Sequence, residues 1–215
     1  MVLRIDRMAP PERTPLLEAA AAAALAVCLD PRAEPGGQWY PEFEAWVSGR
    51  IRKVTRRARG AQWDAVGRLP GVTVERAGAQ VRALVPCRVA DTPREVARLQ
   101  IAGTDLPADR PGPAPADQPV LWVNPEVPMS VGKAAAQVGH ATMLLAAALP
   151  TDQLADWAAK DFRCAVRTAE PADWALLVSG DGPVVGRRER RTVAVRDAGF
   201  TEVAPGTVTV VAQWR

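Results

Sequence analysis

The sequence is poor in the residues from which metal centres and disulfide frameworks are built. Its 215 residues include one histidine, His140, and three cysteines, Cys28, Cys87 and Cys164, with no Cys-x-x-Cys pair. A zinc cluster and a disulfide framework are both excluded, and a reducing, cytoplasmic setting is expected. No Gly-x-Ser-x-Gly elbow occurs and no cysteine has a histidine in its neighbourhood, so a covalent nucleophile is not indicated. Long apolar runs are missing as well. The nearest to one, Leu16 to Leu29, is interrupted by Glu18 and is too short to span a bilayer; it reads as a core helix, and no membrane association is expected. No metal and no cofactor are expected.

What is present is the balance of an ordinary globular chain, 48% hydrophobic and 24% charged. Of 27 basic residues only Lys53, Lys133 and Lys160 are lysine. Up to residue 110 the chain holds 17 basic and 13 acidic residues, and beyond it 10 and 11, so any basic patch belongs to the first half.

The two halves resemble each other. Val2-Leu3 recurs as Val120-Leu121, and an alanine-rich run ending at Leu29 recurs as one ending at Leu149. Trp46, Arg52, Arg56, Ala58, Ala61 and Trp63 match Trp157, Arg163, Arg167, Ala169, Ala172 and Trp174 at a constant offset, and Val74-x-x-Ala77-Gly78 matches Val195-x-x-Ala198-Gly199. Changes of offset fall in stretches rich in turn formers, around Gly36-Gly37 and around Gly180-Asp181-Gly182-Pro183, where insertions are tolerated. Between the halves, prolines at 107, 111, 113, 115 and 119 mark a linker. The expected organisation is residues 1–102, a linker at 103–119, and residues 120–215.

In the second copy, periodicity and turn signals predict strand Val120–Val123, helix Val131–Leu149 stopped by Pro150, a short helix to Lys160 capped by Thr151, strand Phe162–Thr168, helix Pro171–Val178, and strands Thr192–Val195 and Thr207–Val211. Strands alternate with helices. The fold class is therefore α/β: two tandem, similar three-layer domains, each a small four-stranded sheet flanked by helices.

Two constellations can carry chemistry. Lys133, Gln137 and His140, spaced i, i+4, i+7, share one face of an otherwise apolar helix, and Lys133 sits in the first turn after Gly132, where backbone N–H groups favour an anion. The second runs from Asp197 through Thr201 to Thr207, a carboxylate, a glycine and hydroxyls between two strands. Read singly, each has a plain alternative: a solvated lysine, a core histidine, an Asx turn.

Together, Met129-x-x-Gly132-Lys133-x-Ala135-Ala136-Gln137-x-x-His140-Ala141 and Asp197-Ala198-Gly199-x-Thr201-x-x-x-Pro205-Gly206-Thr207-x-Thr209-Val210 resemble the type II peptidyl-tRNA hydrolases, over roughly residues 120 to 212 and in that family's order. The resemblance implies a mixed four-stranded sheet flanked by helices and metal-independent hydrolysis of the ester between a peptide and the 3′ ribose of tRNA. Asp197, His140 and Lys133 are then the candidate catalytic residues, with Gly132, Gln137, Thr201 and Thr207 holding substrate. The alternative is a catalytically inactive tRNA- or RNA-binding protein on the same fold.

In the first copy Lys133, Gln137 and His140 are replaced by Arg13, Leu17 and Ala20, and Asp197 and Thr201 by Arg76 and Gln80. That copy is expected to be degenerate and to pack on the second as an intrachain pseudo-dimer, leaving the protein monomeric. Its basic run, with Arg52 and Arg56, is expected either to meet the tRNA backbone or to be a solvated edge strand.

Overall fold

The computed structural model describes residues 1–49, 53–179 and 191–214. The first half runs β1 (Val2–Arg4), α1 (Arg13–Cys28), α2 (Tyr40–Val47), β2 (Arg56–Ala58), α3 (Ala61–Gly67), β3 (Gly71–Arg76), β4 (Ala79–Leu84) and the short α4 (Arg94–Ala97). The second runs β5 (Val120–Val123), α5 (Val131–Ala148), α6 (Thr151–Ala159), β6 (Ala165–Thr168), α7 (Pro171–Ser179), β7 (Thr192–Arg196) and β8 (Val208–Gln213).

Each half forms one four-stranded mixed sheet, in the orders β2-β1-β4-β3 and β6-β5-β8-β7. In both, the first strand is parallel to one neighbour and antiparallel to the other, and the last two strands are antiparallel. The architecture is thus α/β with two similar sheets flanked by helices. Because successive strand residues face opposite sides, Leu121 and Val123 enter the large central core while Trp122 meets Trp174 on the outer face under α7. Val2, Val66 and Leu99 make the matching outer cluster under α3.

The two sheets share one continuous core because α1 and α5 pack against each other. A stretch of helix that is apolar all round must be buried on every side, and the middle of α1 is: Ala19 through Ala23 have no exposed surface. Alanines permit a close approach, and at the contact even a methyl is too much. A Cβ on Gly139 would lie 2.8 Å from the Ala24 Cβ and 3.3 Å from the Met1 methyl. Thr142 anchors the crossing by donating to the Ala21 carbonyl at 3.0 Å.

Several boundaries differ from the sequence expectations. The predicted strand from Phe162 begins at Ala165, since Asp161 and Phe162 both take left-handed backbone (φ 52° and 53°) to leave α6. Thr151 is the first residue of α6 and not its cap; Pro150 precedes it, and no side chain caps that end. The equation of Thr201 with Gln80 also fails. Strands β3 and β4 are joined only by Ala77-Gly78, and Gln80 lies within β4 opposite Glu75, whereas β7 and β8 are separated by the long connection 197–207. A two-residue turn has no room for a site loop.

Residues 103–119 have no regular structure, but Thr104 and Leu106 are buried and Asp109 accepts from Thr14 N–H at 2.8 Å. No described helix is long and apolar enough to cross a membrane.

Candidate active site

Helix α5 begins at an orthodox cap. The Ser130 hydroxyl accepts from Lys133 N–H at 3.2 Å, satisfying one of the amides that a helix start leaves unpaired. Glu202, from the β7–β8 connection, accepts from Ser130 N–H at 2.8 Å and from its hydroxyl at 2.7 Å. The loop is therefore fastened to the helix start before any charged pair is considered.

The loop itself is built around Asp197. Its N–H donates to the Thr207 carbonyl at 2.9 Å, its own carbonyl accepts from Gly206 N–H at 2.7 Å, and its Oδ1 accepts from Gly199 N–H at 2.8 Å in an Asx turn. Gly199 takes φ +78°, and a Cβ there would stand 2.4 Å from the Pro205 ring, so only glycine fits. This geometry aims Oδ2 of Asp197 at α5.

There the 3.6-residue period has placed Lys133 and Gln137 one turn apart. Lys133 Nζ lies 2.6 Å from Asp197 Oδ2 and donates to Thr201 Oγ1 at 2.9 Å, while Gln137 Nε2 donates to the same Oδ2 at 2.8 Å. Thr209, fully buried on β8, donates its hydroxyl to Gln137 Oε1 at 2.6 Å and so sets which end of the amide faces the carboxylate. The Lys133 and Asp197 side chains each retain only 9% exposure. Burial on its own would raise the Asp197 pKa; the hydrogen bonds from Lys133, Gly199 N–H and Gln137 outweigh it and hold the carboxyl below its ordinary value. The Asp197 carboxyl is ionised near neutrality.

His140 lies further along the same helical face, half-buried. Burial first, then the Lys53 ammonium, lower its pKa from 6.5 to about 4 against the opposing pull of Asp197. The imidazole is neutral near neutrality and, among the described residues, takes no hydrogen bond from the Lys133–Asp197 cluster.

Lys133, Gln137, Thr201 and Asp197 thus form one connected network. Other predicted residues are placed differently. Gly132 N–H is not free, for it donates to Thr104 Oγ1 at 3.1 Å. The Thr207 hydroxyl donates within the loop to the Ala204 carbonyl at 2.7 Å. Arg56, on the edge strand β2, donates to the carbonyls of Leu99 at 2.7 Å and Ala97 at 3.2 Å. Arg52 lies outside the described residues. Thr209 and Glu202 were within the motif but not singled out; the alternation of Thr207 and Thr209 leading into β8 was the available signal. Thr104, in a proline-rich stretch, offered none.

Among the described residues no group of histidine, cysteine or carboxylate side chains is arranged to hold a metal. A cavity of about 220 Å³ lies elsewhere, at the start of α1 beside Glu12, Glu18, Asp109 and Arg167. The Lys133–Asp197 cluster is not enclosed in it; Thr201, which accepts from Lys133, and its neighbour Phe200 are exposed.

No curated protein gives a significant match to this chain. Residues 118–213, the segment that contributes Lys133, Gln137, His140 and Asp197, match the family model described as Peptidyl-tRNA hydrolase PTH2, and they support assignment of this part of the chain as a type II peptidyl-tRNA hydrolase domain.

Proposed function

We propose that the protein hydrolyses the ester joining a peptide or N-blocked aminoacyl group to the 3′ ribose of tRNA. The observation that carries this reading is the network of Lys133, Gln137, Asp197 and Thr201, drawn from two distant motifs inside the segment that matches that family.

Counting donors and acceptors assigns roles. A carboxylate has about four acceptor positions and Asp197 uses three, on Lys133, Gln137 and Gly199, leaving one for a water. An ammonium has three donors and Lys133 uses two, leaving one N–H for the oxygen that becomes negative. Water held by Asp197 attacks the acyl carbon. Its proton passes to the neutral His140 imidazole, which lies on the same face of α5 as Lys133 and Gln137. The tetrahedral oxyanion then collapses, the bond to the 3′ oxygen breaks, and that oxygen takes the proton from His140. The products are a free peptide carboxyl and a free tRNA 3′ hydroxyl.

The first half, which has the same strand order but no counterpart of the 197–207 connection, is a degenerate copy that serves as an intrachain partner, with residues 1–102 and 120–215 as the two units. Its basic excess, including the stretch around Arg52 and Arg56, supplies sequence-independent attraction for the tRNA backbone.

Release of labelled N-acetyl-aminoacyl groups from tRNA tests the reading. Wild-type protein should turn over the substrate and Asp197→Asn should not, while both bind deacylated tRNA with salt-sensitive affinity. Binding without turnover by the wild type would establish the alternative of an inactive RNA binder.

A further inference from the structure

The segment between the two sheets has no regular structure, yet it is bonded to the second amide of each central helix. Thr104, only 1% exposed, accepts from Gly132 N–H of α5 at 3.1 Å. Asp109 accepts from Thr14 of α1, from its N–H at 2.8 Å and its hydroxyl at 2.7 Å. Leu106, between them, is buried in the shared core. Amides at a helix start have no partner inside the helix. Glu12, which precedes α1, makes no side-chain cap bond, and at α5 the Ser130 hydroxyl is occupied by Lys133 N–H, so Gly132 depends on the strap. The contact is also close-packed: a Cβ on Gly132 would stand 3.1 Å from the Thr104 hydroxyl.

We infer that Thr104 is a positioning residue of the hydrolytic site, fixing the first turn of α5 and with it the placement of the Lys133 ammonium between Asp197 and Thr201. The inference rests on the hydrolase reading for its catalytic consequence. It adds that part of the site's support comes from outside residues 118–213. Lys133 is the next residue after Gly132, and its ammonium meets two acceptors at once, at 2.6 and 2.9 Å. Without Thr104 Oγ1 a buried amide loses its acceptor, a costly state relieved by fraying or tilting the turn towards water. Either movement displaces Lys133, and misplacements near 1 Å cost on the order of 100-fold in rate.

The test uses the full chain with Thr104→Val, which keeps the shape and removes the acceptor, and Thr104→Ser, which keeps the acceptor. Amide exchange at Gly132 and the exchange of the Lys133 ammonium protons are followed by NMR, together with kcat and KM on N-acetyl-aminoacyl-tRNA. Thr104→Val should accelerate both exchanges and lower kcat about tenfold with KM changed less than about twofold; Thr104→Ser should restore both. Faster Gly132 exchange with unchanged kcat would reduce Thr104 to a packing role and overturn the inference. Unchanged Gly132 exchange would overturn the bond itself. Should the wild type release no peptide, the hydrolase reading fails separately. Lys133 ammonium exchange then decides for Thr104: acceleration by Val with rescue by Ser supports the positioning role, and no change refutes it.

Discussion

Lys133 Nζ and Asp197 Oδ2 stand 2.6 Å apart although 64 residues separate them in the chain, and each side chain is 9% exposed. An ion pair this well covered tolerates the loss of one member poorly, because the remaining charge stays in low dielectric without a partner. Lys133→Met is expected to lower stability by about 3 kcal/mol and kcat by on the order of 100-fold. The double variant Lys133→Met/Asp197→Leu should recover most of the stability and none of the activity. Denaturant unfolding and turnover of the same samples check both halves; a double variant as unstable as the single would contradict the account.

Acid should destabilise the fold in two stages. For His140 the folded pKa, about 4, lies below the ordinary 6.5. Both folded and unfolded imidazoles are neutral above 6.5. As pH falls through that value only the unfolded chain takes up the proton, so stability declines until the folded imidazole is protonated near 4. Asp197, held below its ordinary 3.8, contributes stability above that value and loses it as pH falls further. Melting temperature followed from pH 8 to 3 should therefore show His140→Asn losing less than wild type between about 6.5 and 4. Parallel curves would refute the assignment.

Gly199→Ala places a methyl where the Pro205 ring stands, 2.4 Å away, in a backbone with φ +78°. The Asx turn that orients Asp197 cannot keep its form. The expected result is at least a tenfold loss of kcat, on the order set by small misplacements of reacting groups. Far-ultraviolet circular dichroism should remain unchanged, because the helices and sheets do not depend on this loop. Wild-type turnover by this variant would show that the loop conformation is dispensable.

Thr209 acts at one remove, through the Gln137 amide. Thr209→Val leaves that amide free to rotate and weakens its donation to Asp197. A loss of about tenfold in kcat is expected, the scale of one hydrogen bond to a charged group, with Thr209→Ser near wild type. Equal activity of the Val and Ser variants would exclude this role.

The helical stripe of Lys133, Gln137 and His140 was legible in the sequence because a 3.6-residue period maps directly onto a helix face. The Asx turn at Asp197 was legible from its residue types. Thr104 was not, since its contact with Gly132 depends on how an irregular segment crosses two helices, and no local preference encodes that path. Nor did residue types reveal that the Gly132 amide and the Arg56 guanidinium already have partners. A hydrogen-bond donor in sequence is a capacity, and only packing shows what occupies it.

Residue order alone carries the alternation of strands and helices, the resemblance of the halves and the chemistry of the two motifs, all of which arise from local periodicity and residue type. Three dimensions were needed for the rest. Folding merged two alanine-rich helices into one core, aligned Asp197 with Lys133, and recruited Thr104 to the start of α5. Those outcomes depend on contacts between residues far apart in the chain, whose distances are set by the joint packing of both sheets and not by any one segment.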